Sequence, residues 1–242
     1  WQAAPGLVRR LEAAGLAPGD LRSAADLPRF PILRKSDLPK IQAADPPFGG
    51  LLAVPVERLK RLFASPGPIY EPEGEGPGYY RWERTMRACG FGPGDVVLNC
   101  FGYHLTPAAA MFEEGAHAVG CVVVPAGIGN GEVQVAAAAH YRATGYIGLP
   151  SYLKVLLEQA KKSGVALAVA KALVLAEKLP ESLRRFAELL RLMVGSALRV
   201  LGTVWFINDV NFVDGLDWIK AAPQIVFTAS DRIRGSHRRA VI

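Results

Sequence analysis

From Val96 onward the apolar positions fall into short continuous runs separated by longer stretches with a helical rhythm. The runs Val96–Cys100, Cys121–Pro125, Tyr146–Leu149, Ala172–Ala176 and Leu198–Phe206 are rich in β-branched residues, and their starts lie roughly 25 residues apart. The intervening stretches Thr106–Val119, Glu132–Arg142, Ser151–Ser163 and Glu181–Met193 read as helices. Thr106 and Ser151 are placed as N-caps, and Gly120 and Gly164 as stops. Strand, helix, strand at this spacing predicts βαβ units. The expected fold class is therefore α/β, a mostly parallel sheet with helices on both faces. Because the runs are continuously apolar rather than alternating, each strand is expected to be buried on both sides.

The first 60 residues follow another pattern. Leu7, Val8, Leu11 and Ala14 share one helical face that ends near Gly15 and Pro18. Then Pro28, Pro31, Pro39, Pro46 and Pro47 interrupt short apolar pieces, which predicts an extended, proline-rich lead-in. The chain divides on this basis into a helical and extended lead-in (1–60), an α/β domain (61–206) and a divergent or frayed tail (207–242).

Composition narrows the class. Half of the 242 residues are hydrophobic and 21% are charged, as in a globular enzyme core. The longest apolar runs fall short of the ~20 residues a membrane span needs, and no secretory leader pattern opens the chain. A soluble cytoplasmic protein is expected, and the start at Trp1 is read as a cut edge. Three cysteines, Cys89, Cys100 and Cys121, have no ligand spacing and are expected as reduced, buried thiols, with no metal site. Of the net charge of +6, about half sits where Arg232, Arg234, Arg238 and Arg239 outweigh Asp231. A solvated terminus explains that cluster better than nucleic-acid binding, because no aromatic residues interleave with it.

In parallel sheets ligands bind outside the carboxyl ends of the strands. The turns Phe101–Thr106, Ala126–Gly131, Pro150–Tyr152 and Glu177–Pro180 are therefore the candidate functional positions. A further loop, Ala64–Gly78, holds four Gly and four Pro in fifteen residues and excludes helix and central strand. Its glycines suit a phosphate cradle, but it lacks the Lys and Ser/Thr of a P-loop. Glu71, Glu73 and Glu75 there are either a Mg²⁺ site or a mobile acidic surface. The segment Gly127-Ile128-Gly129-Asn130-Gly131 follows a strand, yet Glu132 stands where a dinucleotide fingerprint needs its third glycine. No nucleophile elbow is present. His104 follows a strand end, where it could face a ligand, but a packed, hydrogen-bonded histidine is the preferred reading. His117 and His140 fall inside helical runs and read as structural.

Several of these segments, in order, resemble one family. They are Phe30-Pro31-Ile32-Leu33-Arg34-Lys35-Ser36-Asp37-Leu38, the loop from Phe63 to Gly74, Gly92-Pro93-Gly94-Asp95, Asn99-Cys100-Phe101-Gly102-Tyr103-His104-Leu105-Thr106-Pro107, the run Glu114–Cys121, Pro150-Ser151-Tyr152-Leu153 and Lys171–Glu177. Together they are similar to phenylacetate–CoA ligase-like members of the adenylate-forming superfamily, over roughly residues 25–190. The resemblance implies ATP-dependent activation of a carboxylic acid, such as an aryl acid like phenylacetate, to an acyl-adenylate and then an acyl-CoA. ATP, Mg²⁺ and coenzyme A are the implied co-substrates, with no membrane partner.

By carry-over, Ser65, Gly67 and Tyr70 border the triphosphate, and Phe101, Tyr103, His104 and Thr106 approach the acyl group. Glu177 sits near the adenosine. The departures are specific. Prolines and glutamates replace the usual Ser/Thr/Gly-rich loop ending in Lys. Ala176 stands for a usual Gly, and Lys178 for a usual Pro or Ala. Leu201-Gly202-Thr203-Val204-Trp205 lacks the acidic residue of the family's corresponding element. The chain is accordingly expected to be a fragment with little turnover of its own; its oligomeric state is open, although an exposed sheet edge would invite self-association. The alternative is a non-catalytic nucleotide- or partner-binding α/β module derived from such a ligase.

Overall fold

The structure, a computed structural model, describes residues 3–177 and the backbone of 201–204. The expected helix Glu181–Met193 and the tail 207–242 lie outside the described residues. Among those described, the chain forms two compact units. One takes residues to Tyr79 and returns through Leu105–Pro107; the other runs from Tyr80 to His104 and from Ala108 onward.

In the first unit, α1 (Pro5–Ala13) buries Leu11 and sets Gly6 against a glycine turn, with the Gly6 N–H donating to the Gly50 carbonyl at 2.7 Å. A Cβ at Gly6 would stand 2.2 Å from the Gly49 carbonyl oxygen, so only glycine allows that approach. The expected extended lead-in is instead broken into short helical turns at Ala24–Arg29 and Lys35–Asp37, followed by α2 (Leu38–Ala44). The reason is positional. Pro39 lies in the first turn of α2, where its missing N–H would have had no helical partner.

Part of the glycine- and proline-rich loop forms regular structure. β1 (Leu59–Ser65) and β2 (Ile69–Gly74) form an antiparallel hairpin with Ser65 opposite Ile69. A two-stranded ribbon has only edges, so Pro72 is tolerated in β2.

The second unit holds the parallel sheet, as expected. β3 (Val96–Asn99), β4 (Val122–Pro125), β5 (Gly145–Gly148), β6 (Lys171–Val174) and β7 (Leu201–Val204) lie in the order β4-β3-β5-β6-β7, every neighbouring pair parallel. Helices α3 (Trp82–Ala88), α4 (Ala108–Ala118), α5 (Gly131–His140) and α6 (Pro150–Lys162) cover it.

Which face each helix covers follows from the period-two alternation of the strands. Val97, Ile147 and Leu173 point to one face and pack with Met86 of α3 and Phe112 and Ala116 of α4. Leu98, Tyr146 and Ala172 point to the other, against Val135 and Ala138 of α5 and Leu156 and Ala160 of α6. Val97, Ile147 and Leu173 are fully shielded from solvent. Each such aliphatic side chain stabilises the fold by about 1.5–3 kcal/mol relative to exposure.

β4 departs from the expectation of double burial. It is an edge strand, and Val122 remains 63% exposed. Helix ends behave partly as expected. Gly120 and Gly164 adopt left-handed φ of +88° and +65° just past α4 and α6. Ser151, however, lies inside α6, whose N-cap position is Leu149, and α4 starts two residues beyond Thr106.

Candidate functional site

The order β4-β3-β5 fixes where a ligand can enter. After β3 the chain moves to one side of the sheet, and after β4 it crosses back to the other. α4 and α6, which follow β3 and β5, cover opposite faces. Two loops that leave adjacent strands for opposite faces open a crevice between them, the topological switch point of a doubly wound sheet. Here that crevice lies between the turns after Asn99 and after Gly148.

The rim is tied together by its own backbone. Cys100 N–H donates to the Ile147 carbonyl at 2.7 Å, Gly127 N–H to Asn99 at 3.0 Å, and Leu175 N–H to Gly148 at 3.2 Å. The turns expected to converge, at 101, 126, 150 and 177, thus leave the same end of one sheet.

Asn99 organises the β3 side. It is fully buried, and its Nδ2 donates to the Tyr103 hydroxyl at 3.0 Å and to the Ala109 carbonyl at 2.9 Å, while Oδ1 accepts from Phe101 N–H at 3.3 Å. The Tyr103 hydroxyl in turn donates to Glu113 Oε2 at 2.6 Å. Burial and then the hydrogen bond to the Glu113 carboxylate push the Tyr103 phenol well above its ordinary pKa. With its hydroxyl donating to Glu113 and accepting from Asn99, Tyr103, an exposed residue, offers chiefly its ring to another molecule.

Phe101 is half-buried and packs on Phe112 with ring centroids 4.9 Å apart. His104 is exposed rather than packed. Thr106 belongs to the first unit, where Ala64 N–H of β1 donates to the neighbouring Leu105 carbonyl at 2.9 Å. Cys100 is buried, which pushes its thiol up to about 12 and leaves it protonated and unreactive at neutral pH.

On the β5 and β6 side, Glu177 forms a clasp. Its carboxylate accepts from Ser151 Oγ at 2.9 Å and Ser151 N–H at 3.2 Å, placing a negative charge at the N-terminus of α6. This explains why Ser151 does not cap α6 itself: Glu177 supplies the acceptor. The preceding Ala176 has φ +66°, a left-handed conformation that costs a non-glycine residue about 1 kcal/mol and is held by the clasp that follows.

Gln134, buried in α5, was not legible as a site residue. Its Nε2 donates at 3.0 Å to both the Ala126 and Gly127 carbonyls, and its Oε1 accepts a short bond from the Tyr152 hydroxyl. A polar residue between Val133 and Val135 was the available signal. Asn99, polar at the end of an apolar strand run, was a similar one.

Ser65, Gly67 and Tyr70 lie at the hairpin in the first unit, Ser65 at the end of β1 and Tyr70 in β2. The three nearby glutamates are each paired with a cation. Glu71 pairs with Lys35 at 3.8 Å, Glu73 with Arg61 at 3.0 Å and Lys60 at 3.7 Å, and Glu75 with Arg58 at 2.8 Å. Among the described residues no group of three or more His, Cys, Asp or Glu is placed to hold a metal ion. No described helix is long and apolar enough to cross a membrane.

Comparison with known proteins adds an independent view. No family model matches the chain. It is similar to phenylacetate–coenzyme A ligases of Thermus thermophilus (33% identity over 197 residues, 76% of this chain and 43% of the relative) and Aromatoleum evansii (31% over 172 residues, 68% and 38%). The Escherichia coli enzyme of the same name is 30% identical over 161 residues, 64% of this chain and 36% of its own. The chain thus spans about two fifths of the length of the curated relatives it matches. Among solved structures it is similar to 2-hydroxyisobutyryl-CoA ligase in an open conformation with 2-HIB-AMP and CoA. That match has a TM-score of 0.66 at 27% identity, covering 74% of this chain and 41% of the other. The postadenylation-state structure with 2-HIB-AMP gives a TM-score of 0.65 at 27% identity, covering 73% and 40%.

Proposed function

Since this chain is a phenylacetate–CoA ligase-like member of the adenylate-forming superfamily, we propose that it forms the acyl- and adenylate-binding sheet of an acid–CoA ligase. In the reaction proposed, a carboxylate oxygen attacks the α-phosphorus of ATP and pyrophosphate leaves. The thiolate of coenzyme A then attacks the acyl carbon, and AMP leaves with the C–O bond electrons. The protein's part in such chemistry is mostly positioning and fixed donors.

The observation that carries this reading is the switch-point crevice, flanked on one side by the locked Tyr103 ring and on the other by the Ser151–Glu177 clasp. A ring face that presents no spare hydroxyl function favours an aryl or apolar acyl group over a polar one. Phe101, His104 and Thr106 are assigned to the acyl group, and Glu177 to the adenosine, by resemblance. Ser65, Gly67 and Tyr70 are assigned to the nucleotide by resemblance. The hairpin glutamates do not fit a Mg²⁺ site, because each already neutralises a cation. A cytoplasmic location is proposed from the chemistry, since ATP and coenzyme A are intracellular substrates.

The test is calorimetry with a hydrolysis-resistant phenylacetyl-adenylate analogue. Wild-type chain is expected to bind it, and Glu177→Ala, which frees the β6 turn from α6, is expected to bind about tenfold more weakly, near 1.4 kcal/mol. Equal affinities would remove Glu177 from the site. A second reading, a binding module without turnover, is favoured by the paired hairpin charges. ATP–pyrophosphate exchange with phenylacetate separates the two: exchange supports the ligase, and analogue binding without exchange supports the module.

A further inference from the structure

Ile128 is a large apolar side chain left 67% exposed in the loop between β4 and α5. A single exposed aliphatic residue needs no special account. This one, however, is held in place from both sides. Before it, Gly127 N–H donates to the Asn99 carbonyl at 3.0 Å, and the buried Gln134 side chain donates at 3.0 Å to the Ala126 and Gly127 carbonyls. After it, the Gly129 carbonyl accepts from the Tyr152 hydroxyl at 2.9 Å. The backbone flanking Ile128 is thus pinned to β3, α5 and α6.

What Ile128 faces is the turn after β3. That turn leads to α4 on one face of the sheet, whereas the loop of Ile128 leads to α5 on the other, so the two stand across the switch point from each other. All of these residues belong to the second unit. The approach is closest at Gly102. A Cβ added there would stand 3.9 Å from Ile128 Cδ1, an ordinary van der Waals distance, and would meet no other described atom beyond its chain neighbours within 4 Å. Gly102 does not have a left-handed φ either. Neither backbone conformation nor packing among the described residues therefore requires glycine at this position. Its missing side chain leaves open the space that Ile128 borders.

We propose that Gly102 and Ile128 are a specificity-determining pair, which sets from opposite sides the width of the apolar group that the crevice admits. Gln134 and Tyr152 are the residues that position Ile128. A slot with bare backbone on one side and an aliphatic side chain on the other suits a single ring lying flat, and a group carrying two rings on one carbon collides with Ile128. This rests on the acid-ligase reading above, which assigns the acyl group to the turn after β3, and it adds what limits that group's size.

The experiment is calorimetry of the 242-residue chain with two hydrolysis-resistant adenylate analogues, one phenylacetyl and one diphenylacetyl. Wild type is expected to bind the phenylacetyl analogue at least about tenfold more tightly, since small changes of bulk in an apolar pocket carry discrimination of this order. Ile128→Ala removes the wall and is expected to cut that preference about fivefold or more by strengthening the diphenylacetyl analogue. Gly102→Ala fills the slot and is expected to weaken the phenylacetyl analogue about tenfold. A merely structural effect would weaken both ligands in both variants, and thermal unfolding checks that each variant remains folded. If wild type binds the two analogues equally, or if Ile128→Ala leaves the preference unchanged, the inference is overturned and the ligase reading stands. Undiminished binding of the phenylacetyl analogue by Gly102→Ala removes Gly102 from the pair. If wild type binds neither analogue, the inference and the reading fall together.

Discussion

Asn99→Ala is expected to lower the unfolding free energy by roughly 3 kcal/mol. Asn99 is fully buried at the carboxyl end of β3, and its one side chain satisfies the Phe101 N–H, the Ala109 carbonyl and the Tyr103 hydroxyl. Alanine would leave the N–H and the carbonyl without that partner and would open a small cavity beside β5. Stranded polar groups cost about 1–3 kcal/mol each, more than the net value of the bonds themselves. The same change releases the Tyr103 ring, which would then be held only through Glu113. Urea denaturation of wild type and variant checks the stability change. A loss below about 1 kcal/mol would show that water or a rearranged loop replaces the amide.

A change of similar size is expected at the opposite end of the sheet. Asp95 accepts from Lys171 Nζ at 2.7 Å, from Thr144 Oγ1 at 2.9 Å and from Gly92 N–H at 2.9 Å, joining the starts of β3, β5 and β6. Burial alone would raise its pKa. The hydrogen bonds from Lys171, Thr144 and Gly92, with the charge of Lys171, outweigh that and hold the carboxyl below its usual range. A group whose folded pKa is depressed contributes stability above its unfolded pKa, near 3.9, and loses it as pH falls through the folded value.

Asp95→Ala is therefore expected to cost about 3 kcal/mol at pH 7. The gap between wild type and variant should narrow only below about pH 4. Paired denaturation series at pH 7 and pH 3 measure it. A gap that stays constant between the two would mean the carboxylate charge plays no part. Because this clamp lies at the N-terminal ends of the strands, the variant tests the sheet without touching the crevice.

The sheet was legible because its signal is redundant. β-branched runs, glycine stops and near-regular spacing all point to the same βαβ repeat, and parallel strands buried on both faces must be apolar throughout. The exposure of β4 is not legible, because a run such as Cys121–Pro125 carries no mark of whether a further strand lies beyond it; the strand order makes it an edge among the described residues. The helical turns of the lead-in are less plain in the sequence, because proline terminates a helix from within but opens one from its first turn, and Pro39 does the latter. In the loop Ala64–Gly78 the turn residues were plain to read, but ion pairs between residues as far apart as Lys35 and Glu71 were not.

The site divides in the same way. The converging turns follow from the parallel topology, so their location could be derived from the chain alone. The roles of Tyr103 and Glu177 came only from resemblance. The bonds that hold them, to Asn99, Glu113 and Ser151, depend on side-chain geometry that spacing does not encode. Ser151 illustrates the limit. It is a good capping residue by type, yet the cap of α6 is supplied from 26 residues further on by Glu177.

The central claim is that the crevice between β3 and β5 is where an acyl-adenylate binds. Amide chemical-shift mapping of the isotope-labelled chain with the phenylacetyl-adenylate analogue tests it most directly. The account predicts saturable shifts concentrated at residues 100–103, 148–152 and 175–177, with the 92–95 turn at the far end of the sheet unmoved. Saturable shifts that spare all three rim segments would contradict it.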